Sequence, residues 1–248
     1  MAKVAIITGA SSGIGRVSAV ALSKTGWSLV LFARRLEKLV ETQRLCDNPD
    51  QCLVVQGDVA NEESVKDLFK KTLERYGRLD LVFNNAGMNS PQVPIEELSL
   101  QQFQQVINAN LIGPFLCTRE AIRIFKSQTP QGGRIINNGS ISAYTPRPHS
   151  APYTSSKHAI LGLTKSTSLD GRAYNIACTE IDIGGARTDM AIGHSAGALQ
   201  PDGRVISEAL FDAEHVGNTI AYIADLPLDV TVLTVNIMAT GMPYVGRG

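Results

Sequence analysis

The sequence predicts an α/β protein, a doubly wound parallel sheet of about seven strands with helices on both faces. Three observations predict it. Short apolar runs alternate with longer amphipathic stretches along the chain, as strand–helix–strand units joined by right-handed crossovers require. Most of these runs are continuously apolar rather than alternating, the pattern of strands covered on both faces. The first run also passes directly into a glycine-rich turn that opens a helix.

Taken in order, the first strand is the unbroken run Val4-Ala5-Ile6-Ile7-Thr8, and a helix follows over 12–24. Strands are expected next at 29–32 and 52–56, both apolar throughout their centres. An amphipathic stretch at 64–76 leads to a fourth strand at 79–83. Helical patterns over 100–125 and 153–173 each precede a strand, at 134–137 and 176–181. A last apolar run, 230–237, completes the sheet. Segment 184–207 departs from the alternation, being rich in Gly, Ala and Ser with a turn signal at Pro201-Asp202-Gly203. A loop of this length is expected to bind substrate or act as a lid, the alternative being a surface excursion. No linker-like or low-complexity segment interrupts the chain, so 1–248 reads as one domain.

The 248 residues carry 23 basic and 23 acidic side chains, so no bulk field exists to hold nucleic acid or an anionic membrane. Affinity for a phosphate must come from a local site. Cys46, Cys52, Cys117 and Cys178 form no C-x-x-C pair, and His149, His158, His194 and His215 have no metal-ligand spacing, so no metal is expected. Neither a signal peptide nor a membrane span is legible, which makes a reducing cytoplasmic setting the expectation.

The first turn reads Thr8-Gly9-Ala10-Ser11-Ser12-Gly13-Ile14-Gly15. Gly9 permits the tight turn, Gly13 lets a pyrophosphate approach the backbone, and Gly15 lets the helix pack close to the sheet. The helix start adds unpaired N–H groups and the positive end of its dipole. Together with the strand before it, the turn makes the sheet Rossmann-type.

Its spacing, T-G-x-x-x-G-x-G, resembles that of the short-chain dehydrogenase/reductase family, in its single-domain branch. The resemblance extends along nearly the whole chain: Asn84-Asn85-Ala86-Gly87 after the fourth strand, Asn110 in a helix, Ser140 after the next strand, and Tyr153-Thr154-Ser155-Ser156-Lys157 matching Y-x-x-x-K. It implies a nicotinamide cofactor held by Gly9, Ser11, Ser12, Gly13, Ile14 and Gly15 in the first turn. Asp58 is expected at the adenine with Val59 beside it, and Asn84, Asn85, Ala86 and Gly87 on the adenine-ribose side and stabilising the central strands. Tyr153, Lys157, Ile183, Gly184 and Thr188 complete the set. Where a carboxylate would accept the adenosine 2′-hydroxyl stands neutral Ala33, followed by Arg34 and Arg35. The guanidinium fork of Arg34, with Ser11 or Ser12 as further donors, suits a 2′-phosphate, so NADP(H) is favoured over NAD. The two arginines could instead simply begin a solvated helix.

Tyr153 and Lys157, four apart on a helix, share one face, and a neighbouring ammonium favours the phenolate form. The resemblance gives Tyr153 the role of general acid/base, with Ser140 holding the substrate oxygen and Asn110 anchoring a water that links Lys157 to solvent. Taken singly, each has an ordinary structural reading; the four together point to catalysis. Ser140 is not in a G-x-S-x-G elbow, which disfavours a hydrolase. One departure is Ile183 where the family commonly has proline, which makes the loop geometry near the nicotinamide less certain.

For substrate, Met88, Asn89, Ser142, His149, Met190 and His194 are candidates, with Arg147 and Arg187 as nearby charges. The expected activity is NADP(H)-dependent hydride transfer with a small or medium carbonyl compound or secondary alcohol. The alternatives are an oxidative polyol, sugar or hydroxy-acid dehydrogenase using NAD(P), or a nucleotide sensor without turnover. The resemblance also implies a homodimer or homotetramer through the helices at 100–125 and 153–173, whose apolar residues Leu111, Ile112, Phe115, Leu116, Ile160, Leu161 and Leu163 suit an interface or the core equally.

Overall fold

The computed structural model of the protein describes residues 2–191 and 197–245; His194 and the middle of the 184–207 segment lie outside them. The main strands are β1 (Val4–Thr8), β2 (Ser28–Ala33), β3 (Cys52–Gln56), β4 (Leu81–Asn84), β5 (Gly133–Asn138) and β6 (Ile176–Gly184). Shorter ladders follow as β7 (Ala186–Arg187), β8 (Ala198–Leu199), β9 (Val205–Ile206) and β10 (Phe211–Asp212), and β11 (Thr234–Met238) returns to the main sheet. That sheet has seven strands, all parallel, in the order β11-β6-β5-β4-β1-β2-β3.

Continuous apolar strands have the consequence expected of them. On β1, Ala5 and Ile7 pack into one hydrophobic cluster while Val4 and Ile6 pack into another. The first cluster takes in α1 (Gly13–Lys24), α2 (Leu36–Leu45) and α7 (Glu214–Asp225). The second takes in α3 (Glu62–Tyr76) and α5 (Gly113–Ser127), with α4 (Leu100–Ile107) and α6 (Ala151–Gly171) along the same side. The chain crosses from one face to the other between β1 and β4, so their carboxyl ends flank the crevice where an open α/β sheet binds ligands.

The differences from the sequence reading have local causes. Helix α3 begins two residues early because Asn61 caps it, accepting the Ser64 N–H at 2.8 Å. β4 begins later than expected, since Leu79 and Asp80 are held by Gln128 and by the Val4 carbonyl. Val230 turns back onto Pro227, which delays β11 to Thr234. The pattern at 100–125 is one helical run with an i→i+5 turn, Asn108–Ile112, between α4 and α5. The described residues of 184–207 include short strands where the sequence predicts a loop. β6 runs through Gly184, β7 pairs with β10, and β8 and β9 form a hairpin closed at the Pro201-Asp202-Gly203 turn.

Candidate active site

Close packing shapes the nucleotide end. A methyl group on Gly15 would stand 2.4 Å from the Gly9 carbonyl oxygen, so only glycine lets α1 start this near β1. Gly9, with φ of 67°, makes the turn that aims the chain back along the helix. Ser12 gives α1 no side-chain cap, which leaves the first-turn N–H groups for a ligand. Gly9, Ser11, Ser12, Gly13 and Ile14 line a cleft with Arg34, Arg35, Asp58, Val59, Asn85, Ala86, Gly87 and Thr188. Gly15 lies behind this wall.

The two arginines differ. Arg35 donates through one guanidinium nitrogen to Ser11 Oγ at 3.2 Å and Ser12 Oγ at 2.9 Å. Arg34 is exposed and shows only its carbonyl engaged, by Gln56 at 2.9 Å. Asp58 accepts the Ala60 N–H at 3.0 Å, a turn contact that leaves a carboxylate oxygen facing the cleft. Thr8 Oγ1 accepts from the N–H groups of both Asn85 and Ala86, at 2.9 and 3.0 Å, which clamps the N-N-A-G loop to β1. Asn84 is different from its neighbours: it is buried and bonds Asn137 at 2.8 Å and Thr118 at 3.2 Å between sheet and α5.

The cleft continues into a second hollow lined by Ser140, Ser142, Tyr153 and Lys157, with Ile183, Gly184 and Met190 opposite. Ile14, Asn85, Gly87, Asn138 and Thr188 belong to both. Helix α6 presents Tyr153 and Lys157 on one face, with Lys157 Nζ 5.4 Å from the Tyr153 ring centre. Lys157 is buried and donates to the Asn138 carbonyl at 2.6 Å. Ser140 Oγ accepts the Ser142 N–H at 3.1 Å, and Ser140 N–H donates to Asp182 Oδ1 at 2.8 Å.

Asn110 sits inside the i→i+5 turn, a distortion frequent at functional sites. Its amide accepts Met88 N–H at 2.8 Å and donates to the Met88 carbonyl at 3.0 Å and Ser156 Oγ at 3.2 Å. Both ends of its side chain are thus used to join the N-N-A-G loop to α6. His149 is not brought to the site: it lies in a separate hollow with Pro94, Pro146 and Pro148. With φ of 57°, His149 turns the chain away before α6 begins. Ile183 keeps β6 in register with β11 as far as Gly184, so the usual proline is replaced by one more rung of sheet.

Two features escaped the sequence reading. Arg147 and Glu208 form a two-pronged ion pair on the wall of the hollow, with Gln200 donating to Glu208 at 3.1 Å. Glu180 and Asp182 lie fully buried beneath Ser140. Burial and the neighbouring Asp182 push the Glu180 carboxyl up to about 8, and burial also raises Asp182. Two acids within the run Ile176–Gly184, otherwise apolar apart from Thr179, were the signal available for this pair.

Among the described residues no cluster of His, Cys, Asp and Glu could hold a metal, and no helix is long and apolar enough to cross a membrane. A family model for short chain dehydrogenase matches residues 3–198. A 3beta-hydroxysteroid dehydrogenase of Mediterraneibacter gnavus is 36% identical over 197 residues, covering 78% of this chain and 70% of that protein. A 3-oxoacyl-[acyl-carrier-protein] reductase of Synechocystis is 31% identical, covering 91% and 90% respectively. Among solved structures, actinorhodin polyketide ketoreductase with NADPH superposes with a TM-score of 0.84 at 27% identity, covering 96% of each chain.

Proposed function

The chain belongs to the short-chain dehydrogenase/reductase family, and from that premise we propose that it is an NADP(H)-dependent oxidoreductase acting on a small or medium ketone or aldehyde, or the matching secondary alcohol. The observation that carries the reading is that Tyr153, Lys157 and Ser140 line one hollow continuous with the glycine-turn cleft. A cofactor lying along that cleft supplies the hydride chemistry; the chain supplies everything else. The fit rests on the uncapped start of α1, the glycine wall, and Arg35 over two serine hydroxyls. Arg35 with Ser11 and Ser12 holds a 2′-phosphate, and Asp58 faces the adenine end. Ser140 and Tyr153 hydrogen-bond the substrate oxygen. Tyr153 gives that oxygen a proton in reduction and removes it in oxidation, while the Lys157 ammonium favours the anion left behind. Asn110 keeps α6 in register with the loop that carries Met88.

A carbonyl and alcohol panel run with NADPH and NADH, followed by nicotinamide absorbance, tests the reading. Turnover of at least one carbonyl with NADPH is expected; tight NADPH binding with no turnover across the panel favours a sensor instead. We also propose a homodimer or homotetramer. Ile112 and Phe115 on the α5 side, and Leu169 on α6, remain exposed, whereas Leu116 and Ile160 are spent on the core. A monomer in sedimentation at micromolar concentration rules the assembly out.

A further inference from the structure

Beneath the Ser140 turn, β6 places two acids in a strand that Thr179 alone otherwise makes polar. Glu180 and Asp182, two apart, point to the same face of the sheet, and both are fully buried. Both crowd Gly139: a methyl group there would sit 2.3 Å from Asp182 Oδ1 and 2.7 Å from Glu180 Oε1. Asp182 Oδ1 accepts the Ser140 N–H at 2.8 Å and the Tyr144 hydroxyl also bonds the Asp182 carboxyl, while among the described residues no donor meets either Glu180 oxygen. Among the described residues no cation lies within ion-pair distance of either carboxyl. The charged and titratable groups facing them are Lys157 and Lys165 from α6, Tyr144 from the turn before it, with Tyr244 against Tyr144, and the buried Cys178 thiol two residues before Glu180 on β6. Lys157 spends a short bond on the Asn138 carbonyl.

Two adjacent carboxylates without a paired cation do not both ionise in a buried site. The bonding pattern says where the proton sits. Hydrogen bonds from the Ser140 N–H and the Tyr144 hydroxyl favour the charged form of Asp182, so Glu180, which neither of them reaches, is the better seat for the proton.

Building on the reading above, we propose that Asp182 and Glu180 act as a positioning pair for the reaction: they share one proton, fix the main chain of Ser140, and set the negative charge standing behind Lys157 and Tyr153. Asp182 carries the Ser140 main chain by its N–H, and with it the hydroxyl that meets the substrate oxygen. When the shared proton leaves, the pair doubles its charge. That second charge attracts the Lys157 ammonium and opposes a tyrosyl anion, so it holds back alcohol oxidation on the alkaline side. Glu180 reaches about 8, which places the effect within the working range of an oxidation assay.

The isosteric double variant Glu180→Gln/Asp182→Asn keeps the hydrogen-bonding shape and removes the charge. Its pH profile for alcohol oxidation, measured beside the wild-type enzyme, is expected to rise at lower pH by about half a unit or more, with NADPH affinity within about twofold. A superimposable profile overturns the proposal. Asp182→Ala is expected to lower kcat about tenfold or more with little change in cofactor affinity, and Asp182→Asn to recover most of it. Equal activity in Asp182→Ala and wild type overturns the positioning role.

A readout independent of turnover separates this proposal from the proposed function. Native protein holds a proton on Glu180 that the unfolded chain releases above the ordinary value of 4.5, so stability falls as pH rises from there to about 8. Glu180→Gln removes that slope, and its gain in melting temperature is expected to be larger at about pH 8.5 than at about pH 5. An equal shift at both pH values overturns the shared proton, whether or not a substrate has been found. A Tyr153→Phe enzyme with full activity, by contrast, would defeat the proposed function and leave this titration untouched.

Discussion

At the nucleotide end the two arginines part: Arg35 turns back over Ser11 and Ser12, and Arg34 is exposed, so the 2′-phosphate proposed for this chain is assigned to Arg35 rather than to Arg34. The sequence shows two arginines after a neutral strand end, but it does not show which side chain turns back. That is decided by β2 ending at Ala33 and α2 beginning at Leu36, which leaves Arg35 at the helix cap with its guanidinium over Ser11 and Ser12. Arg35→Ala is expected to raise KM for NADPH about tenfold or more and leave NADH within about twofold, as loss of a phosphate-binding guanidinium predicts. Arg34→Ala is expected to have the smaller effect. Steady-state kinetics with both cofactors check the pair; equal losses for NADPH and NADH would contradict the 2′-phosphate assignment. The types Ser, Tyr, Lys and Asn were legible at Ser140, Tyr153, Lys157 and Asn110 because their spacing is a motif. Asp182 was not, because its importance comes from a neighbour 42 residues away in the chain.

At the scale of elements, most of the sheet was legible because strands buried on both faces must be apolar without a break. The ends were not. Asn61, Gln128 and Pro227 shift them through hydrogen bonds that periodicity does not encode. The turn at Asn108–Ile112 is the clearest case: its residues fit a helix, but Pro114 has no N–H for the Asn110 carbonyl, and the Asn110 side chain is tied to Met88 and Ser156 there. Asn110→Ala takes the Asn110 partner from the partly buried Met88 N–H and carbonyl, a loss of about 1 kcal/mol. A lower melting temperature and a fall in kcat are expected together. Unchanged values of both would show that Asn110 holds nothing in place.

For the whole molecule, the doubly wound topology brings the ends of β1, β4, β5 and β6 to one side, where the glycine turn, the N-N-A-G loop, Ser140 and Gly184 meet. Their convergence could be anticipated from the order of strands and helices. The far wall could not, because it is made by contacts across the chain. Arg147, before α6, is tied to Glu208, after the β8–β9 hairpin, and together they hold that segment against the hollow. If the segment covers bound substrate, Glu208→Gln loosens it. KM for the carbonyl is then expected to rise about tenfold, equivalent to about 1.4 kcal/mol, with NADPH affinity unchanged. A matching loss of NADPH affinity would instead place the segment's role at the cofactor.

The central claim is that Tyr153 carries the proton that accompanies hydride transfer, and Tyr153→Phe tests it most directly because it removes the hydroxyl while keeping the ring. In single-turnover reduction of a carbonyl found active in the panel, with NADPH bound to saturation, the variant is expected to bind NADPH normally and react at least about a hundredfold more slowly, the range general acid catalysis contributes. Reduction at close to the wild-type rate, with binding intact, would contradict the account.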